Sequence, residues 1–228
     1  MGGSTNTPAF WERLWRSAGL QFVGFFVVCC LIYGHLPGVH ASAEELLGFY
    51  NGDRTRVLIA TTLFGLNVLN LMWFAAALRT TLSDAGKDGW GAAATASSAA
   101  FGAVFLLLAA IGAGLAYSIA GQGTPALAVG LNSLGWALLV LSAFPRAMLI
   151  MSAAFGLWRA GVISSSLFGV GLAAVVLGVL GGTTWMSDGL WAPDGVYSRF
   201  VCPLVGLVWI LIVSRVLSSR GPAARPEW

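Results

Sequence analysis

From Gly89 to Pro145 the chain carries not one charged residue. Such a stretch is foreign to soluble domains, about a quarter of whose residues are charged, whereas runs of about 20 apolar residues match the ~30 Å hydrocarbon core of a bilayer. The rest of the chain repeats the pattern. Charge-free windows extend from Ser17 to Ala43 and from Val57 to Leu78, and further apolar runs occupy Val162 to Gly182 and Phe200 to Leu217. With 57% hydrophobic and 9% charged residues and a mean hydropathy of +0.82, lipid rather than water is the main solvent this sequence is written for.

The expected fold class is therefore all-α integral membrane, a six-helix transmembrane bundle with both termini cytoplasmic. Its spans are expected at about 19–35, 57–79, 94–120, 126–158, 162–182 and 199–218. They make up a transmembrane domain over 19–218, after a cytoplasmic N-terminal segment, 1–18, and before a basic cytoplasmic tail, 219–228. The count of six rests on Gly121-Gln122-Gly123-Thr124-Pro125, whose turn chemistry divides the longest apolar stretch in two. Pro203 stands near the start of the last span, where a missing N–H costs least. A signal peptide is the rival reading of the first span, with Ala41-Ser42-Ala43 as its small-x-small cleavage pattern. That site lies well beyond the apolar run, and the rest of the chain is equally membranous.

Orientation follows from Lys and Arg near the span ends. With the N-terminus inside, the inner segments hold Arg13, Arg16, Arg79, Lys87, Arg159, Arg215, Arg220 and Arg225, and the outer ones only Arg54, Arg56 and Arg199. Trp185, Trp191 and Tyr197 on one side, and Trp11, Trp15, Trp90 and Trp158 on the other, are expected to form interfacial belts.

Two outer loops are long. In the first, Ser42-Ala43-Glu44-Glu45 reads as a capping box that starts a short helix. Leu46, Leu47, Phe49 and Tyr50 give that helix an apolar side suited to the bilayer surface, and Asp53 is placed to cap the second span. The second loop, Thr183 to Ser198, has no metal-ligand spacing.

The run Glu44-Glu45-Leu46-Leu47-Gly48-Phe49-Tyr50, followed by Asn51-Gly52-Asp53-Arg54-Thr55-Arg56 and a hydrophobic span, belongs with a later stretch. That stretch passes from Leu131-Asn132 through Phe144-Pro145 to Leu157-Trp158-Arg159-Ala160-Gly161-Val162. Over residues 20 to 182 these motifs resemble a family of multi-pass membrane proteins abundant in high-GC bacteria, described only as a domain of unknown function. The chain departs from that pattern after the Gly-Val step, where relatives often carry proline and Ser164-Ser165-Ser166 follows here. The resemblance implies architecture and a bacterial inner membrane. It implies no catalytic residue.

Within the spans, polar residues are few. A single helix from Ala126 to Trp158 would be about 50 Å long at 1.5 Å per residue, too long for the bilayer core, and it carries Arg146. An Arg near the bilayer centre costs about 2.5 to 3.5 kcal/mol on insertion scales and faces protein, water or a partner group. The alternative ends the span near Arg146 and lets the side chain snorkel to the inner interface, but Met148-Leu149-Ile150-Met151 shows no polar face for an interfacial helix. Asn67, Asn70 and Asn132 are the other intramembrane polar residues. With Arg146 they form the candidate polar cavity, although interhelical asparagine bonds are also ordinary membrane glue. Gly178 with Gly182, and Ser152 with Gly156, are small-xxx-small pairs expected at close helix contacts.

Catalysis has little to draw on. His35 and His40 flank Pro37-Gly38 with no third ligand near. Cys29 and Cys30 are vicinal, unlike a Cys-x-x-Cys pair, and no span holds an acidic residue or a lysine. No catalytic, cofactor-binding or metal residue is assigned, and no cofactor is expected. The expected role is a non-enzymatic membrane protein, an accessory subunit or lipid-contacting component. A small-solute or anion transporter with a polar cavity around Arg146 comes second, and a membrane enzyme acting on lipid or quinone third. The expected partners are the lipid bilayer and a membrane-protein partner or a second copy, and no nucleic acid.

Overall fold

The computed structural model describes Trp15, residues 17–122 and residues 124–219, and every regular element among them is helical. The expectations placed on residues 1–14, Arg16, Gly123 and 220–228, including Trp11, Arg13 and the basic tail, lie outside the described residues.

The first helix, α1 (Ala18–Tyr33), is apolar on all sides. It stops at Gly34, whose φ of +76° is a conformation that L side chains rarely adopt. A strap of residues 34–42 leads to α2 (Ala43–Gly52), where the Ser42 side chain accepts the Glu45 N–H at 3.1 Å, as the capping box requires. Next come α3 (Arg54–Asp84) and α4 (Asp88–Gly114), which runs on into a π turn (Leu115–Ile119). Beyond it, α5 (Pro125–Leu141) begins with proline in its first turn, where a missing N–H is harmless. It is followed by α6 (Ala143–Arg159) and α7 (Ser165–Gly181), the latter capped by Ser164 accepting from the Leu167 N–H. A second π turn (Tyr197–Val201) feeds into α8 (Cys202–Ser219).

Four helical stretches are long and apolar enough to cross a membrane: Arg54–Asp84, Asp88–Ile119, Pro125–Arg159 and Tyr197–Ser219. The helices α1 and α7, of 16 and 17 residues, are apolar but shorter.

Six helices close a ring. In order, α1 packs on α3, α3 on α4, α4 on α6, α6 on α7, α7 on α8, and α8 back on α1. Its core includes Phe22, Leu71, Phe74, Leu78, Leu149, Ile150 and Trp209. Close approach of α7 to α6 uses Gly178, where a Cβ would stand 3.1 Å from that of Ala147, and Gly182, which faces the Phe144 ring.

One expectation is refined and two need correction. The span expected over 126–158 is present as one helical stretch, Pro125–Arg159, which a single turn residue, Ser142, divides into α5 and α6. The division falls where Pro145 removes the N–H that would have met the Leu141 carbonyl. As a result α6 joins the ring while α5 leaves it, packing on α2 and α4 and to no comparable extent on α1 or α8. The apolar side of α2 does not lie on the bilayer surface. Leu46 and Tyr50 are buried in a second cluster with Val57, Leu115, Ala116, Ala120 and Ala128, because the ends of α3, α4 and α5 offer a protein surface to cover. Asp53 precedes α3 but accepts no helix N–H, since its carboxylate pairs with Arg56 at 2.5 Å.

The aromatic belts also divide. Trp185 and Trp158 are exposed, Trp158 stacking on Phe168 and Trp90 on Phe155. Tyr197, by contrast, is buried and donates to the Leu177 carbonyl at 2.7 Å.

Candidate functional site

The departure of α5 from the ring leaves a cavity of about 550 Å³ at the α2 end of the molecule, walled by α1, α3, α4, α5 and α8. Ligand pockets usually span about 300 to 1,000 Å³. Its floor is aromatic: Phe26, Phe64 and Phe105 form a triangle with centroid separations of 5.6, 5.8 and 6.3 Å. Leu108, Ile111, Leu131 and Leu139 continue the apolar wall. From Leu131 to Leu139 the α5 wall rises about 12 Å at 1.5 Å per residue.

The strap sets the polar end of this cavity. Asn132 and Trp136, one helical turn apart on α5, donate to neighbouring strap carbonyls, Asn132 Nδ2 to Gly38 at 2.9 Å and Trp136 Nε1 to Pro37 at 3.1 Å. On the opposite side Arg199, carried by the π turn before α8, donates from Nη2 to the Leu36 carbonyl at 3.3 Å. Farther along, the Val39 N–H donates to Asp194 Oδ2 and His40 donates to the Ser187 carbonyl, each at 3.0 Å. Side chains thus hold α5 to α1 and α8 where backbones do not meet, so the space between them stays open. Single-turn π insertions recur at functional sites, and this one carries Arg199.

Charge at the cavity is one-sided. Arg199 lines it and no carboxylate does. The Arg199 guanidinium lies 5.1 Å from the centre of the Trp136 ring, a cation–π contact. Its Nε is buried with no hydrogen-bond partner. The hydroxyls of Tyr33 and Tyr50, 3.3 Å apart, complete the polar end with Thr61. Burial pushes the Tyr50 phenol above its ordinary value.

The four residues singled out from the sequence do not share one site. Asn132 lines this cavity. Asn67 is buried in the ring, donating to the Phe22 carbonyl at 3.0 Å, and Asn70 donates to Asn67 Oδ1 at 3.2 Å. Arg146 is 6% exposed and lies inside protein, its Nη2 donating to Cys202 Sγ and its guanidinium 6.0 Å from the centre of the Phe101 ring. Gly206 makes room for its stem, since a Cβ there would stand 2.8 Å from Arg146 Cδ. Arg146 is thus one layer behind the cavity, because Phe101 packs edge-on against Phe105 of the floor.

Arg199, Trp136 and His35 are the site residues that sequence reasoning missed as a group. Arg199 reads only as an outer charge at a span end, and Trp136 as one of ten tryptophans. The available signal was the i, i+4 spacing of Asn132 and Trp136, which puts two donors on one face of α5. Of the other reactive side chains, His40 and Asp194 both join the strap to the loop 183–198, Asp53 pairs with Arg56, and Asp188 is exposed. Among the described residues no group of three His, Cys, Asp or Glu side chains is placed to hold a metal.

No family model, curated protein or solved structure matches the chain.

Proposed function

We propose that this protein is a non-enzymatic, multi-pass membrane component that holds one lipid-like amphiphile between α5 and the helix ring. One observation carries the reading: a 550 Å³ cavity with an aromatic and aliphatic body has its hydrogen-bonding groups gathered at the strap end. That division matches a molecule with an apolar chain and a polar head. A small-solute or anion transporter built around Arg146 is less favoured, because Arg146 does not line the cavity and Asn67 and Asn70 are bonded within the ring. An enzyme is less favoured, because His40 and Asp194 are engaged in joining the strap to the loop 183–198.

The same proposal sets the chain in a bacterial inner membrane, as a relative of the multi-pass family it resembles, with six crossings and both termini cytoplasmic. The Lys and Arg asymmetry supports this orientation. At about 24 and 26 Å for 16 and 17 residues, α1 and α7 are short for the hydrocarbon core, a mismatch that local bilayer thinning accommodates. A stoichiometric membrane partner or a second copy fits an accessory role.

Native mass spectrometry of the protein extracted in its own lipids tests the central reading. One retained lipid-like mass per chain is expected, and it should be lost in Gly135→Phe, which fills the cavity from α5. Bare protein under gentle extraction, or equal retention by both forms, refutes it. For the topology, a membrane-impermeant thiol reagent should label Asp188→Cys from outside and not Lys87→Cys; the reverse pattern overturns the orientation.

A further inference from the structure

We infer that the cavity selects an amphiphile with an anionic oxyanion head, held by Arg199. This rests on the lipid-binding reading above and adds the chemistry of the head group.

The argument begins with the guanidinium. Arg199 has five N–H donors and a permanent charge. Within the protein its Nη2 meets the Leu36 carbonyl and its plane lies over Trp136, while its Nε is buried with no acceptor. No carboxylate pairs with it among the described residues, and Asp194, five residues earlier in the chain, is engaged by the Val39 N–H. A partly desolvated cation with no carboxylate partner is costly until an anion pairs with the guanidinium donors it leaves free. Trp136 and Leu36 hold the fork in place beforehand, which lowers the ordering cost of binding. Guanidinium geometry suits phosphate and carboxylate oxygens, to which it bonds in pairs.

The surroundings offer further donors. His35 lines the same end, along with the Asn132 amide and the paired Tyr33 and Tyr50 hydroxyls, of which one proton remains free to donate to an oxyanion. The apolar body adjoining them indicates a chain on the anion rather than a free ion. A wall about 12 Å deep takes part of one acyl or isoprenoid chain, with the remainder leaving past Phe200 and Cys30, both of which line the cavity and are exposed.

The test compares purified protein in neutral detergent with three probes: palmitoyl lysophosphatidylglycerol, monopalmitoylglycerol, which has the same chain and no oxyanion, and inorganic phosphate. Binding is read by native mass spectrometry. Wild type should prefer the anionic lipid by about tenfold or more, the worth of one charge-assisted hydrogen bond. Arg199→Gln should abolish the preference and still bind the neutral lipid, and Arg199→Lys should keep part of it. Equal binding of the two lipids by wild type overturns the head-group inference and leaves the lipid-binding reading intact. That comparison stands even if Arg199→Gln does not fold. A preference that survives in folded Arg199→Gln also overturns it. Binding of neither lipid, or unchanged binding by Gly135→Phe, defeats the lipid reading itself. Phosphate that binds alone and displaces the anionic lipid identifies a free-oxyanion site and overturns the amphiphile.

Discussion

The indole N–H of Trp136 reaches the Pro37 carbonyl at 3.1 Å, tying α5 to a strap 99 residues earlier in the chain. Both residues are buried, so water cannot replace the bond. Trp136→Phe keeps most of the ring and removes the donor, which leaves a buried carbonyl unsatisfied at a cost of about 1 to 3 kcal/mol. Unfolding free energies in detergent should show that loss. Hydrogen exchange should quicken in residues 34–40 before it does in the ring helices. An unchanged stability would mean that the strap is held by its other contacts.

Arg146 and Gly206 form a second coupled pair. Gly206→Val places a side chain where the Arg146 stem now lies, with the Cβ alone 2.8 Å from Cδ. Overpacking of this kind costs about 1 to 3 kcal/mol. In an Arg146→Ala background the same substitution should cost less, because the stem is gone. The coupling in a double-mutant cycle should exceed about 0.5 kcal/mol, and additive effects would show that Arg146 moves aside freely.

The course of the chain was legible wherever the signal is local. The long apolar helices, the end of one helix at Ile119 before the next starts at Pro125, and the Ser42 cap each depend on residues close in sequence, and each stands where it was expected. What escaped depends on residues far apart. The interruption at Ser142 is visible in Pro145, but its consequence, the parting of α5 from the ring, depends on how α6 packs with α4, α7 and α8. The site follows the same rule. Arg146 attracted notice because it is a charge deep in a span, yet a neighbouring thiol and ring enclose it. Arg199, unremarkable at a span end, reaches the cavity because the strap and Trp136 meet it there.

Asn67 joins α3 to α1 through the Phe22 carbonyl and also accepts from Asn70. Interhelical bonds of this type average about 0.6 kcal/mol in membranes. Asn67→Ala should therefore destabilise the bundle by about that amount, measured by unfolding in mixed micelles. Asn70→Ala should cost less than Asn67→Ala alone, and almost nothing when Asn67 is already alanine. A large loss from the second substitution would show that Asn70 has a role independent of its partner.

Tyr50 gives the fold an alkaline limit. It is 2% exposed beneath α2, with its hydroxyl 3.3 Å from that of Tyr33. Burial first, opposed by the Tyr33 hydrogen bond, holds the phenol above its ordinary value of 10.0. The folded protein therefore keeps this proton more tightly than the unfolded chain does. The stability that follows is complete below pH 10 and is lost as pH rises toward the folded value. Unfolding free energies measured from pH 8 to 11 should fall at the upper end. The fall should be shallower in Tyr50→Phe, which has no proton to lose at that site. Parallel curves for the two proteins would show that this hydroxyl titrates alike in both states, and that the alkaline limit arises elsewhere.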